Sequence, residues 1–504
     1  MPRLPLLYLI VNTMKRREFI TTALLSFLTS LVTPRLKVNS QPAYKTWREY
    51  KSWTSDNIFL KGINAPVFYE TDIDNLKVTG LIPSDLEGIY IRNGPNPLFK
   101  PSSYNYPLEG DGMLHAFYFE GYKVRYRNRL IWTRGLKYEF YEGKALPELK
   151  FRNYANTNIF AHGGVILGLY EAGLPYRITP ELETVGKWDF QGDIEQSMTA
   201  HPKFDPQTGE LHFFRYSLLN SPYLTYYVAN RQGEIIRTLP IDLPQPALIH
   251  DMAITENYVI FFHCPLVFEM QRAMKCNSPF AWKPEIGTKI ILVHRHDLER
   301  KPLEIETEAF WLWHFMNAYE ENEQIVIDFV YYPQIQLEST LEAILASKAH
   351  LHRFAVNPDA KTIKSQPLDD RFVDLPTIDL RQTGRSYQFG YAPFIDLKLT
   401  AQKKIPNYYP EIIQYNVSKQ TSKVHRFKPG CYGGEAIFVP QKNGGSELDG
   451  YVMTIVFDEN KQTSDLVILD PANFEAEPIA TIHLPVRVPS GFHGNWIPKD
   501  AIKL

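Results

Sequence analysis

Short apolar runs bounded by turn signals recur along almost the whole chain, and they constrain the fold more than any other feature. Gly88-Ile89-Tyr90-Ile91-Arg92, Tyr258-Val259-Ile260-Phe261-Phe262, Gln324-Ile325-Val326-Ile327-Asp328-Phe329-Val330 and Tyr451-Val452-Met453-Thr454-Ile455-Val456-Phe457 are typical. Each has strand length and is rich in β-branched or aromatic residues. Stretches such as Asp205-Pro206-Gln207-Thr208-Gly209 and Asn443-Gly444-Gly445 separate them, as turns require. Helical periodicity is scarce: residues 338–350 carry it most clearly and residues 46–55 more weakly. Many short strands at regular spacing predict a sandwich, a barrel or a propeller.

Four histidines choose between these. His201 stands in Ser197-Met198-Thr199-Ala200-His201-Pro202 and His250 in Leu248-Ile249-His250-Asp251-Met252-Ala253. His314 stands in Trp313-His314-Phe315-Met316-Asn317-Ala318 and His493 in Gly491-Phe492-His493-Gly494-Asn495-Trp496. Intervals of 49, 64 and 179 residues exclude one hairpin or one helix. A fold that points one strand per sector at a common axis brings such residues together. A four-stranded blade with its loops takes about 40–50 residues, so the first two intervals approximate one blade each and the third approximates three. The expected fold is all-β, a propeller of about seven blades. Four neutral imidazoles meeting on its axis make a site for a borderline divalent metal such as iron. The other histidines read as packing or surface residues. His294 and His296 alternate along one strand, beside Arg295 and Asp297, which read as surface residues.

Composition removes some functions. The 504 residues carry 54 basic against 56 acidic side chains, which gives no electrostatic footprint for nucleic acid. No Gly-x-Gly-x-x-Gly sequence opens a helix, so no nicotinamide or flavin is expected. Aromatic residues make up 13% of the chain, which suits strands and also a pocket for a long apolar ligand. Cys264, Cys276 and Cys431 form no disulfide framework. Free thiols are expected, with a Cys264–Cys276 bridge as the alternative in an oxidising compartment.

The amino terminus reads separately. Lys15-Arg16-Arg17-Glu18-Phe19-Ile20 precedes an apolar stretch over residues 21–32, too short to span a bilayer and long enough for a signal-peptide core. The paired arginines followed by Phe and Ile resemble a twin-arginine export signal. Residues 1–40 are therefore expected to be an export signal or leader, and residues 41–504 one propeller domain. That places the protein in a periplasm or thylakoid lumen, or on a membrane, with a cytoplasmic location as the alternative.

Ordered motifs between residues 60 and 497 resemble those of the carotenoid cleavage oxygenases. Ile82-Pro83-Ser84-Asp85-Leu86-Glu87-Gly88 is followed by Arg92-Asn93-Gly94-Pro95-Asn96-Pro97 and by Glu109-Gly110-Asp111-Gly112-Met113-Leu114-His115. Ala155-Asn156-Thr157-Asn158, Tyr170-Glu171-Ala172-Gly173-Leu174-Pro175, Gly434-Glu435-Ala436-Ile437-Phe438-Val439-Pro440 and Gly491-Phe492-His493-Gly494 continue the series in the family's order. The resemblance implies a seven-bladed propeller with a helical and loop cap over the metal face. It implies one Fe(2+) per subunit, held by His201, His250, His314 and His493. It also implies carboxylates that hydrogen-bond three of the imidazoles. Glu171 and Glu435 match two of those positions, and the third falls at Asp374, where the family usually has Glu. Such carboxylates fix the imidazole tautomer and orient the ring. Thr157 matches a small side chain that crowds an open metal position.

The implied reaction is cleavage by dioxygen of a carbon–carbon double bond in a carotenoid or apocarotenoid. Cleavage of a stilbene-type alkene, or isomerisation of a retinoid-like ester, is the alternative on the same site. A metal-free propeller acting as a binding module is the alternative of another class. Polyenes live in membranes, and the apolar segment over residues 264–282 reads either as a lipid-facing patch or as part of the cap.

Overall fold

A computed structural model describes residues 45–104, 109–146, 152–275, 278–297, 299–337 and 340–501. The expected leader and Cys276 lie outside the described residues.

Seven twisted sheets make the seven blades of a propeller. Blades two to six follow one another along the chain, each with four antiparallel strands. In the fifth, Phe315–Glu321 pairs with Gln324–Tyr331, then His350–Asn357, then Thr362–Pro367. The second strand is buried at six successive positions. Each blade is sandwiched between neighbours, so its middle strands bury both faces and read as continuous apolar runs. The outermost strand, Thr362–Pro367, is mostly exposed and polar. Rings fill the gaps between blades: Phe262 of the fourth meets Phe329 of the fifth edge to face at 5.2 Å, and Phe310 and Phe354 complete that cluster. Such ring pairs add about 0.5–1.5 kcal/mol each beyond area burial.

The ring closes twice. The C-terminal strand Gly494–Pro498 pairs with Gly88–Pro95 in the first blade. The early strand Lys77–Gly80 pairs with Ala480–His483 in the seventh. Both closures set distant parts of the chain side by side.

Four local expectations meet corrections. Residues 46–55 are not helical: Lys45–Glu49 is the outer strand of the first blade, paired with Tyr69–Ile73. A sheet edge offering backbone partners outweighs a weak helical period. The helix expected over 338–350 spans Leu341–Ala346, with the Thr340 hydroxyl capping Ala343 N–H at 3.1 Å. His294 ends its strand, and its Nδ1 accepts the backbone N–H of His296 and Asp297, so the two histidines do not share a strand face. Arg295 is buried, bonded to Asp205 and His212 between blades three and four.

Candidate metal centre

The innermost strand of each blade begins just after a residue singled out above. Thr157 precedes Asn158–His162, His201 precedes Lys203–Phe204, and His250 precedes Ala253–Ile254. His314 precedes Phe315–Glu321, Asp374 precedes Thr377–Ile378, Glu435 precedes Ile437–Pro440 and His493 precedes Gly494–Pro498. One sector thus supplies one side chain, all from the same end of the inner strands.

The four imidazoles pack against one another. Ligand-capable nitrogens of His201, His314 and His493 lie within 4.8 Å of each other. His250 stands outside that trio but beside it, its ring 4.4 Å from that of His201 and 5.2 Å from that of His314. Nε2 of His201 and of His314 is buried without a hydrogen-bond partner. Leaving such an atom unsatisfied costs about 1–3 kcal/mol, and a metal ion would satisfy both.

Three carboxylates set the imidazole tautomers. Glu171 Oε2 lies 2.6 Å from His250 Nδ1, Asp374 Oδ1 2.7 Å from His314 Nδ1, and Glu435 Oε1 2.6 Å from His493 Nδ1. An ionised carboxylate only accepts, so each Nδ1 carries the proton and each Nε2 presents its lone pair inward. Asp374 therefore reaches its imidazole directly, despite an arm one methylene shorter than glutamate.

Burial favours the neutral form of two of the rings. Burial pushes the His201 pKa well below the ordinary histidine value, and the other three imidazoles and Lys203 add to this. Burial lowers His314 as well, against the opposing pull of Asp374. Burial alone would raise the Asp374 carboxyl, but His314, Tyr332 and the Leu375 N–H outweigh it and hold it below its usual range. At His314 and Asp374 this favours a neutral imidazole beside an ionised carboxylate, the protonation states that metal ligation needs.

A cavity of about 240 Å³ opens onto His250, His314 and His493. Phe59, Trp313, Phe372 and Phe492 line it, with Ile335 and Ile344. Ile344 belongs to the helix Leu341–Ala346, and Thr400, also in the wall, to the helix Leu397–Lys403. These two helices, with their loops, roof the site as the expected cap. The described residues of the segment 264–282 take no part in this wall. Its strands Leu266–Phe268 and Phe280–Trp282 pair as a hairpin, while Met270 and Met274 are 50% and 72% exposed.

The family described as retinal pigment epithelial membrane protein matches residues 64–498. An isoeugenol monooxygenase of Pseudomonas nitroreducens is 32% identical over 475 residues, covering 87% of this chain and 98% of that protein. An apocarotenoid-15,15'-oxygenase of Synechocystis is 31% identical over 462 residues, covering 83% and 92%. The crystal structure of Pseudomonas brassicacearum lignostilbene dioxygenase has a TM-score of 0.82 at 27% identity, covering 89% of this chain and 100% of that one. The chain belongs to the carotenoid cleavage oxygenase family.

Within this oxygenase the recurrent motifs act as fasteners. Asn93 donates from Nδ2 to Ala155 O and Asn158 O at 2.8 and 2.9 Å, and its backbone pairs with His493 O and Phe492 N. The His493 loop is thereby tied to the first two blades. A Cβ on Gly94 would sit 2.7 Å from Gly491 Cα, so only glycine permits that approach. Asn156 donates to Gly110 O and accepts the Thr157 hydroxyl at 3.0 Å. Thr157 lines the cavity with that hydroxyl turned aside, and its carbonyl accepts His493 N–H.

Three further contributors come into view only in the structure. The Tyr216 hydroxyl donates to Glu171 at 3.2 Å and the Tyr332 hydroxyl donates to Asp374. Trp313 buttresses His250 edge to face at 4.8 Å. Trp313 was adjacent to His314 and could have been named on that ground; the tyrosines could not. Cys264 is free and buried, with its thiol pushed up to about 12 by burial, which leaves it unreactive. Among the described residues no helix is long and apolar enough to cross a membrane.

Proposed function

We propose that this oxygenase uses iron(II) to cleave one double bond of an apocarotenoid into two carbonyl products. The observation that carries the reading is the coincidence of two features: clustered imidazoles with orphaned Nε2 atoms on His201 and His314, and an apolar cavity that ends on His250, His314 and His493. His201, His250, His314 and His493 would hold one iron per subunit, with Glu171, Asp374 and Glu435 behind them. The metal supplies dioxygen activation, so that R–CH=CH–R′ and O2 balance to RCHO and R′CHO without a reductant. The chain's own residues would hold one double bond beside the metal and exclude water, and the aromatic walls at Phe59, Trp313 and Phe492 would set which bond that is. Thr157 keeps its hydroxyl on Asn156 and contributes bulk near the metal rather than a proton.

One observation favours a second reading, an aryl alkene as substrate. The cavity of about 240 Å³ falls below the roughly 300–1,000 Å³ usual for drug-sized ligands. It suits a short conjugated molecule, or one half of a longer one. The kinship with an isoeugenol monooxygenase and a lignostilbene dioxygenase supports this. The exposed Met270 and Met274 support contact of that surface with lipid, and the paired arginines Arg16 and Arg17 support export.

Anaerobic iron loading followed by oxygen uptake on an apocarotenal, a stilbene and isoeugenol tests the proposal, with products identified by mass spectrometry. Two aldehydes per dioxygen from the apocarotenal are expected. An iron content below about half an equivalent, or no uptake with any conjugated alkene, overturns it.

A further inference from the structure

The three supporting carboxylates are anchored differently. Each gives one oxygen to an imidazole and the other to a second donor. For Glu435 that donor is the Gly494 backbone N–H at 2.7 Å, and for Glu171 it is the Tyr216 hydroxyl. Asp374 is held at three points. Its Oδ1 accepts both His314 Nδ1–H and Leu375 N–H at 2.7 Å, and its Oδ2 accepts the Tyr332 hydroxyl. Leu375 itself takes a φ of 52°, in the left-handed region. A carboxylate rotates easily about its last torsion, with two equivalent settings. On so short an arm, that rotation moves Oδ1 away from the imidazole unless the other oxygen is pinned.

Tyr332 is well placed to pin it. Its backbone pairs in both directions with Trp311, three residues before His314, at 2.8 and 2.9 Å. The hairpin that carries His314 therefore also carries the hydroxyl that holds its carboxylate, while Asp374 arrives from the next sector. The Tyr332 ring meanwhile forms part of the cavity wall.

We propose that Tyr332 is a positioning residue for His314: its hydroxyl fixes the Asp374 carboxylate so that an aspartate does the work of the family's longer glutamate. This rests on the reading of the imidazoles as metal ligands. Removing the hydroxyl leaves Oδ2 unheld and the Leu375 N–H as the one remaining anchor behind His314, which loosens the carboxylate plane and the His314 ring with it, while a phenylalanine keeps the cavity wall. Loss of a partner behind a metal-bound imidazole lowers metal affinity about 10–100-fold. Tyr216 faces a glutamate, whose longer arm reaches His250 without strain, so its hydroxyl matters less.

Cobalt(II) titration of the metal-free protein tests this, read as dissociation constant and visible spectrum, for the parent, Tyr332→Phe, Tyr216→Phe, Asp374→Glu and the Tyr332→Phe/Asp374→Glu pair. Tyr332→Phe is expected to bind cobalt roughly tenfold or more weakly, with a shifted ligand-field spectrum and the melting temperature of the metal-free protein unchanged. In the Asp374→Glu background the same change is expected to cost less than about twofold, because the longer arm no longer needs the hydroxyl. Tyr216→Phe is expected to cost less than Tyr332→Phe, an arm that stands even if Asp374→Glu fails to fold. Equal cobalt binding by the parent and Tyr332→Phe overturns the proposal, as does an equal loss in both backgrounds. A parent that binds no cobalt overturns the metal reading itself, and this proposal with it.

Discussion

Replacing Glu435 with glutamine removes a charge without changing shape, and the surroundings of its two oxygens fix the cost. Both accept from donors that cannot move: His493 Nδ1–H at 2.6 Å and Gly494 N–H at 2.7 Å. A glutamine has one accepting oxygen and one donating nitrogen. If its oxygen faces His493, its NH2 confronts the Gly494 N–H. If it flips, the NH2 confronts His493, whose Nδ1 must give up its proton to Nε2, and the inward lone pair is lost. Glu435 is 6% exposed, so water offers little rescue. A buried donor left without a partner costs about 1–3 kcal/mol. At about 1.4 kcal/mol per tenfold, metal affinity should fall about 5- to 150-fold. Glu171→Gln is the internal control. Its second partner is the Tyr216 hydroxyl, which can rotate and accept from the new NH2. Only the charge assistance is lost there, about 1 kcal/mol or roughly fivefold. The assay is anaerobic iron(II) competition against a chromophoric chelator, with thermal melting of the metal-free proteins to exclude misfolding. The reasoning is refuted if Glu435→Gln binds iron within about twofold of the parent, or if Glu171→Gln loses as much as Glu435→Gln.

Arg295→Ala should destabilise the protein by about 3–5 kcal/mol in urea unfolding, because it strands the buried Asp205 carboxylate between blades three and four; a change under about 1 kcal/mol would return Arg295 to the surface role that its sequence context suggests. Gly112→Ala should abolish soluble expression or depress the melting temperature sharply, since the added Cβ falls 2.2 Å from Ala155 O; a normal melt would show that the strand shifts freely. His212 is buried and its pKa is pushed well below the ordinary histidine value, first by burial and then by Arg295. Unfolding therefore takes up a proton that the folded state refuses, so its contribution is complete above about pH 6.5 and declines as pH falls below it. The fall of melting temperature between pH 6.5 and 5 should be shallower in His212→Gln than in the parent, and parallel curves would contradict this.

Legibility varied with how local the cause was. The middle strands were readable because two-sided burial demands unbroken apolar runs, as in Gln324–Tyr331. The imidazole-bearing segments were readable because each sits in a distinctive local sequence at the start of an inner strand. Residues 46–55 misled because the partner that makes them a strand, Tyr69–Ile73, lies outside any local window. Arg295 misled because a charged residue between two histidines reads as surface until Asp205, ninety residues earlier, is seen beside it.

The sequence by itself determined the all-β class, the sector spacing that points histidines at one axis, and the family. Strand length, turn chemistry and motif order are local properties of the chain. It also placed an aspartate at position 374 without deciding whether that side chain reaches an imidazole. Only the tertiary structure decided this, through a 2.7 Å contact with His314 and a tyrosine from the neighbouring hairpin. The physical reason is that hydrogen-bond partnership between sectors depends on distances fixed by the packing of whole blades, and no spacing along the chain encodes them.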